Sequence, residues 1–375
     1  MNFEFSEDQQ LFADSLARLL ENWASANRKS DDAVDAGQLW MELCEIGALG
    51  ALFDEDVGGF GGHRSYLIVV FTALGRAGVV EPVLEHGLVA GGVLARLGTA
   101  QQRDILAQAI AGETRVAFAH DEPDSRYDPM HVGMRATTGA EGSVIISGRK
   151  SLVIGANNAD WLIVSVRETG EIDADDGVSL FLIPATTAGI EIQCYEAFTG
   201  GSAADIIFDR VEITKDQILG SNGSAGTTIK AVFADAIAAQ CAHTLGAMET
   251  AMHMTGEYLK TRKQFGRPLA SFQVLAHRYA DMVIEMEQAR SAVINAVGHL
   301  RSDAVLRDRH SAAAKNLLGR VGRQIAEECV QMHGGIAMTQ EYALSSYIKQ
   351  IIMADHRFGD CDYHLERFID LTAEG

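Results

Sequence analysis

Hydrophobic positions in this chain follow two different periods. Near the N-terminus Phe12, Leu16, Leu19, Leu20 and Trp23 recur at helical spacing behind a Ser6 and Gln9 pair that reads as a capping box. The turn-rich FDEDVGGFGG at 53–62 interrupts this block, and helical patterning resumes in LIVVFTALGRAG and LVAGGVLARLG. From about 115 to 220 the period shortens to that of strands, in SVIISG, WLIVSV, SLFLIP, IEIQCY and ADIIFDRVEI, separated by Gly, Asp and Asn turns. After GSNGSAG three long helical stripes follow: Ile237, Cys241, Leu245, Met248 and Met252; then Leu275, Tyr279, Met282, Met286, Ala289 and Val293; then Leu318, Val321, Ile325, Cys329 and Met332. With a fourth helix near 340–356 they predict an antiparallel bundle. The expected fold is α+β and mainly α: an N-terminal helical domain at 1–114, a small central β-barrel or sandwich at 115–222, and a C-terminal four-helix bundle at 223–375.

Composition narrows the function classes. The 375 residues carry a formal net charge of -20, which disfavours a polyanionic partner such as nucleic acid. No apolar run approaches the roughly 18 residues of a membrane span, and MNFEFSEDQQ lacks the basic and apolar regions of a secretory signal, so the cytoplasm is the expected address. Cys44, Cys194, Cys241, Cys329 and Cys361 are scattered, odd in number and never in CxxC spacing; they read as buried thiols rather than as disulfides or metal ligands.

Against this acidic background KTRKQFGRPLASFQVL, residues 260–275, places Lys260, Arg262, Lys263 and Arg267 together with no acid between them. A local basic cluster in an acidic chain suits a small anion, because a guanidinium presents a rigid fork to phosphate oxygens. In QMHGGIAMTQEY, residues 331–342, the Gly334 and Gly335 pair lets backbone amides approach where side chains would block.

These stretches, with FDEDVGGFGG and AFAHDEP at 117–123 as weaker signatures, resemble the acyl-CoA dehydrogenase family over essentially the whole chain. The resemblance implies FAD as cofactor, an acyl-CoA thioester as substrate and electron-transfer flavoprotein as electron acceptor. It also implies that Arg262, Gln264, Phe265, Gln273, Gln331, Gly334 and Gly335 hold the pyrophosphate and adenosine of FAD across a subunit interface.

Three departures qualify it. The position of the family's usual catalytic Glu falls on Phe358, and the alternative position on Ala236 or Ile237, none of which can take a proton. Asp235, Asp360 and His243 stand nearby as substitutes, each with a local reading as helix cap, dipole partner or core group. The family's WITNG stretch at the flavin ring reads LVIGA, Leu152 to Ala156, and its small Gly-Ser loop over the cofactor reads DSRYD at 124–128. The likeness is greatest to the small, non-catalytic subunits of paired bacterial enzymes, those of pimeloyl-CoA dehydrogenase or of steroid side-chain degradation, which implies a second, catalytic subunit as partner. A self-sufficient homo-oligomeric dehydrogenase with a displaced base, a flavin monooxygenase-like relative and a flavin-free structural subunit remain open beside it. The Gly319 and Gly322 pair in GRVGRQ suits close helix packing within one chain or between two.

Overall fold

The computed structural model describes residues 6–27, 36–61, 65–139, 143–339 and 341–373. Helix α1 (Glu7–Asn27) opens on the expected capping box: Gln9 N donates to Ser6 Oγ at 3.2 Å and Ser6 N to Gln9 Oε1 at 3.1 Å. The Gln9 amide nitrogen also donates to Ser65 Oγ at the start of α3 (Ser65–Ala77), so one residue caps α1 and ties it to a second helix. Of the FDEDVGGFGG stretch, Gly62 lies outside the described residues; Glu55–Val57 within it forms a short 3-10 turn, preceded by another at Gly50–Leu52 after α2 (Ala36–Glu45).

The LVAGGVLARLG segment is not one regular α-helix. Val83–Ala90 is a π-helix that runs into α4 (Gly91–Leu97), followed by α5 (Ala100–Ile110) under a complete Thr99 and Gln102 capping box.

The central strands form two four-stranded sheets. In the first, β1 (Val116–Ala119) pairs parallel with β4 (Trp161–Arg167), which continues antiparallel to β5 (Val178–Pro184) and β8 (Ile218–Leu219). In the second the order is β2 (Ala136–Thr138), β3 (Val144–Ile154), β7 (Ser202–Ile213) and β6 (Ile190–Glu196), antiparallel throughout. Their inward residues, among them Ile146, Val164, Phe181, Ile206 and Phe208, share one core, the arrangement of a sandwich. Cys194, on edge strand β6, faces solvent and corrects the expectation that all five thiols are buried; Cys361 is half-buried and the other three are buried.

Helix α6 (Gly226–Thr261) leads through a tight hairpin, β9 (Lys263–Gln264) and β10 (Arg267–Pro268), into α7 (Gln273–His299), α8 (Ala304–His333), α9 (Leu344–Asp355) and α10 (Cys361–Ala373). The three stripes bury nearly all their members; Ile237, Leu275 and Tyr279 are half-buried. Glycine sets the closest helix approach. A Cβ on Gly75 of α3 would stand 1.9 Å from the carbonyl oxygen of His243, and one on Gly246 of α6 2.1 Å from that of Thr72. Gly319 and Gly322 are likewise used inside the chain, against Asp355 and Ile351 of α9.

The chain forms two compact units, one of residues 1–34, 64–79 and 237–375 and the other of 35–63 and 80–236. The first holds α1, α3 and the bundle, and the second holds α2, the π-helix, α4, α5 and both sheets; α6 contributes to each. No helix among the described residues is long and apolar enough to cross a membrane.

Candidate functional site

The basic stretch at the end of α6 becomes a protruding hairpin. Its tip, Phe265 and Gly266, lies at φ of 52° and 76°, the left-handed pair that a two-residue hairpin needs. Phe265 is 90% exposed, and its ring meets Phe272 edge-on at 6.1 Å. The Arg267 guanidinium covers the other ring of that pair, 4.1 Å from the Phe272 centroid, which fixes the hairpin against the start of α7 beside Gln273. Arg262 and Gln264 are exposed, and among the described residues no carboxylate pairs with the Arg262 guanidinium.

A second segment lies alongside. Arg262 N donates to Tyr258 O, and the Tyr258 ring stacks on His333, the residue before Gly334, at 4.4 Å. His333 Nδ1 donates to Cys329 O at 2.8 Å and its Nε2 lies 3.1 Å from the Tyr342 hydroxyl, while burial lowers its pKa. Gly334 ends α8 at φ 69°, and Cβ atoms built on Gly266, Gly334 or Gly335 would meet nothing within 4 Å. Gln331 is exposed on the last turn of α8. The hairpin and the turn after α8 thus present, among the described residues, a guanidinium with no carboxylate partner, a glycine pair open to approach and exposed side-chain amides, groups of the kind that bind a diphosphate. That chemistry fits the ADP half of FAD.

The three substitute bases are all engaged elsewhere. Asp235 pairs with Arg96 of α4 at 2.5 Å. His243 Nε2 donates to Val79 O at 3.2 Å, and Asp360 caps α10, its Oδ1 accepting from Tyr363 N at 2.9 Å. Ala236 is buried in α6, Ile237 follows it half-buried, and Phe358 sits at φ 57° with the Arg357 guanidinium 5.3 Å from its ring centroid.

Around Phe358 the loop is held by side chains that the pattern of the chain did not single out. The buried Lys315 ammonium donates to Asp355 O at 2.8 Å and Gly359 O at 2.6 Å, while burial lowers its pKa. Asn316 Nδ2 donates to Cys361 O, and His364 Nε2 to Phe358 O at 2.8 Å. A lysine and a histidine on otherwise apolar faces of α8 and α10 were the available signals.

In the β sandwich, AHDEP is built on a buried network. Lys150 Nζ donates to Glu122 Oε1 at 2.7 Å, to Ser165 Oγ at 2.9 Å and to His120 O at 3.1 Å; Glu122 also accepts from the amides of Gly133 and Met134. His120 Nδ1 contacts Ser165 Oγ and its Nε2 donates to Pro129 O, and burial with the nearby Lys150 charge pushes its pKa down to about 3. In LVIGA, Leu152 is 54% exposed at φ 54° on a bulge of β3, and Ile154 has no side-chain donor. This stretch offers a flavin ring neither an aromatic shield nor a hydroxyl. Of the six non-glycine residues at positive φ among the described residues, five (Arg126, Tyr127, Leu152, Phe265 and Phe358) lie in the segments singled out from the sequence.

Family models for the N-terminal, middle and C-terminal domains of acyl-CoA dehydrogenase match residues 6–113, 117–211 and 227–366. The chain belongs to the acyl-CoA dehydrogenase family. FAD is the cofactor of this family, and its enzymes are oxidoreductases acting on CH-CH groups. Among curated relatives, the caffeyl-CoA reductase-Etf complex subunit CarC of Acetobacterium woodii is 27% identical over 90% of this chain and 91% of its own. Among solved structures, a variant of the Tcur3481-Tcur3483 steroid ACAD superposes with a TM-score of 0.85 at 28% identity, covering 98% of both chains. The ChsE4-ChsE5 complex of Mycobacterium tuberculosis gives 0.86 at 23%, covering 100% of both, and shares the fold.

Proposed function

We propose that this chain is the non-catalytic partner in an acyl-CoA dehydrogenase of two unlike subunits, and that it contributes the ADP-side contacts of FAD to a site completed by the catalytic subunit. One observation carries the reading: the hairpin presents Arg262, with no carboxylate partner among the described residues, beside Phe265, while Asp235, His243 and Asp360 are each committed to a structural bond. When bound, FAD accepts the β-hydride of the acyl thioester at N5.

Arg262 and the open backbone at Gly266 and Gly335 bind and orient the diphosphate, while Gly334, whose own amide is bonded to Val330 O, leaves the approach clear of a side chain. Gln264, Gln273 and Gln331 supply neutral polar contacts at the adenosine end, and Phe265 fills an apolar recess in the partner. Exposed Val274, Val283, Ile284, Ile336 and Met338, on α7 and in the turn after α8, support burial of this unit against another chain. The proton at the substrate α-carbon is removed by a carboxylate of the catalytic subunit, because no residue at 236, 237 or 358 can accept it. Two neighbours in structure, Tcur3481-Tcur3483 and ChsE4-ChsE5, are named as pairs of unlike chains, which agrees with this division of labour.

The test is the flavin absorbance and FAD-to-protein ratio of the chain purified alone and co-expressed with a catalytic subunit. Little flavin alone, with clear binding and acyl-CoA-dependent bleaching in the complex, is the expected result. Full occupancy and bleaching of the isolated chain would overturn it.

A further inference from the structure

The turn that follows AHDEP is strained at its tip and braced at its base. Asp128 N donates to Ser125 O at 2.9 Å, closing a two-residue turn whose central residues, Arg126 and Tyr127, lie at φ of 45° and 71°. Glycine and asparagine are the residues that such a turn favours; two consecutive larger L side chains here are disfavoured. The flanks hold the geometry in place. Ser125 N donates to Glu122 O at 3.1 Å, Met130 N to Asp128 Oδ1 at 2.8 Å, and the buried Arg167 guanidinium to Met130 O at 2.7 Å and Val132 O at 3.1 Å. Glu122 itself is fixed by Lys150 and by two backbone amides. Strain kept in place by a surrounding network that over-determines it is characteristic of ligand-binding segments. What this backbone displays is the Arg126 side chain, exposed and without a carboxylate partner among the described residues.

We infer that Arg126 is a specificity-determining residue, held by the strained turn to recognise an oxyanion carried by the acyl-CoA: a phosphate of the CoA moiety or a carboxylate on the acyl chain. The planar fork of a guanidinium matches both, and a backbone fixed in advance lowers the ordering cost of binding. The inference rests on the acyl-CoA substrate class of the proposed function but not on the division of labour between subunits.

The test is calorimetric titration of the full chain with free CoA, a neutral acyl-CoA and an ω-carboxyacyl-CoA of equal length, for the wild type, Arg126→Lys, Arg126→Asn and Arg126→Asn with Tyr127→Gly. The double variant, which restores turn-forming residues, is expected to melt a few degrees higher yet to bind about tenfold more weakly. Equal loss for all three ligands assigns the oxyanion to CoA; loss confined to the ω-carboxyacyl ligand assigns it to the acyl chain. Arg126→Lys, which keeps the charge without the fork, recovers part of the affinity. Wild-type affinity in the double variant, a lower melting temperature for it, or no binding of any ligand by the wild type would each overturn the inference. None of these isotherms depends on whether the chain alone retains flavin.

Discussion

The ring of Tyr258 stacks on the imidazole of His333 at 4.4 Å between centroids and 26° between planes. Arg262 follows Tyr258 by one helical turn and Gly334 follows His333 directly, so this contact sets the spacing between the guanidinium and the glycine pair. Tyr258→Ala should leave the chain folded and weaken ADP-side affinity by about two- to tenfold, the worth of one aromatic stack. FAD retention of the complex after gel filtration, with circular dichroism as the control for folding, checks this.

Arg167 is a buried cation that meets carbonyls instead of a carboxylate. Its guanidinium donates to Val132, Thr169, Asp176, Met130, Ile172 and Ala174 at 2.7–3.4 Å, stitching the 168–177 loop to the segment below the Arg126 turn. Lysine has three donors and no fork, so Arg167→Lys leaves carbonyls unpaired, and Arg167→Met leaves them all. Losses of about 2 and at least about 3 kcal/mol are expected, measured by urea unfolding.

Two buried histidines make stability depend on pH. Burial pushes His120 down to about 3 and His364 to about 4, from an ordinary value of 6.5. Below pH 6.5 the unfolded chain takes up protons that the folded chain excludes, so this stabilisation is complete above 6.5 and is lost as pH falls toward 4 for His364 and 3 for His120. Each contributes a slope of about 1.4 kcal/mol per pH unit within its window. Denaturant unfolding at pH 7, 6 and 5 should show the loss, and His364→Asn should flatten the profile by roughly one proton.

What the sequence disclosed follows the range of the interactions involved. The Ser6 capping box, the bundle stripes and the strands are local patterns, and each stands where its period places it. The π-helix at Val83–Ala90 was not legible, because about 4.4 residues per turn blur into the α period over eight residues. Helix α10 was missed: CDYHLERFID alternates charge with apolar residues too briefly to stand out. Lys150, Arg167 and Lys315 are charged residues that composition assigns to the surface, and only the fold supplies the carbonyls and the carboxylate that let them be buried. The meeting of Tyr258 with His333 joins two helices far apart in the chain and leaves no mark in either local pattern.

The loop at Phe358 is built against a catalytic carboxylate. Phe358→Glu returns the family's residue to the counted position but not its surroundings. The backbone there is left-handed and is clamped through the carbonyls of Asp355, Phe358 and Gly359 by Lys315 and His364. Arg357 lies over the present ring and would pair with the new carboxylate, holding it ionised and drawing it from any substrate. LVIGA still offers no hydroxyl or aromatic shield to a flavin ring. Phe358→Glu should therefore show no acyl-CoA-dependent bleaching in the isolated chain and should lose about 1 kcal/mol of stability to backbone strain and a poorer fit. Phe358→Gly relaxes the positive φ at the cost of the ring's half-buried contacts, and should stay within about 1 kcal/mol of the wild type. Anaerobic titration of both variants with acyl-CoA, alone and with the catalytic subunit, decides the point. Bleaching by the Glu variant alone would place a competent flavin ring on this chain and overturn the reading that only its partner holds the ring.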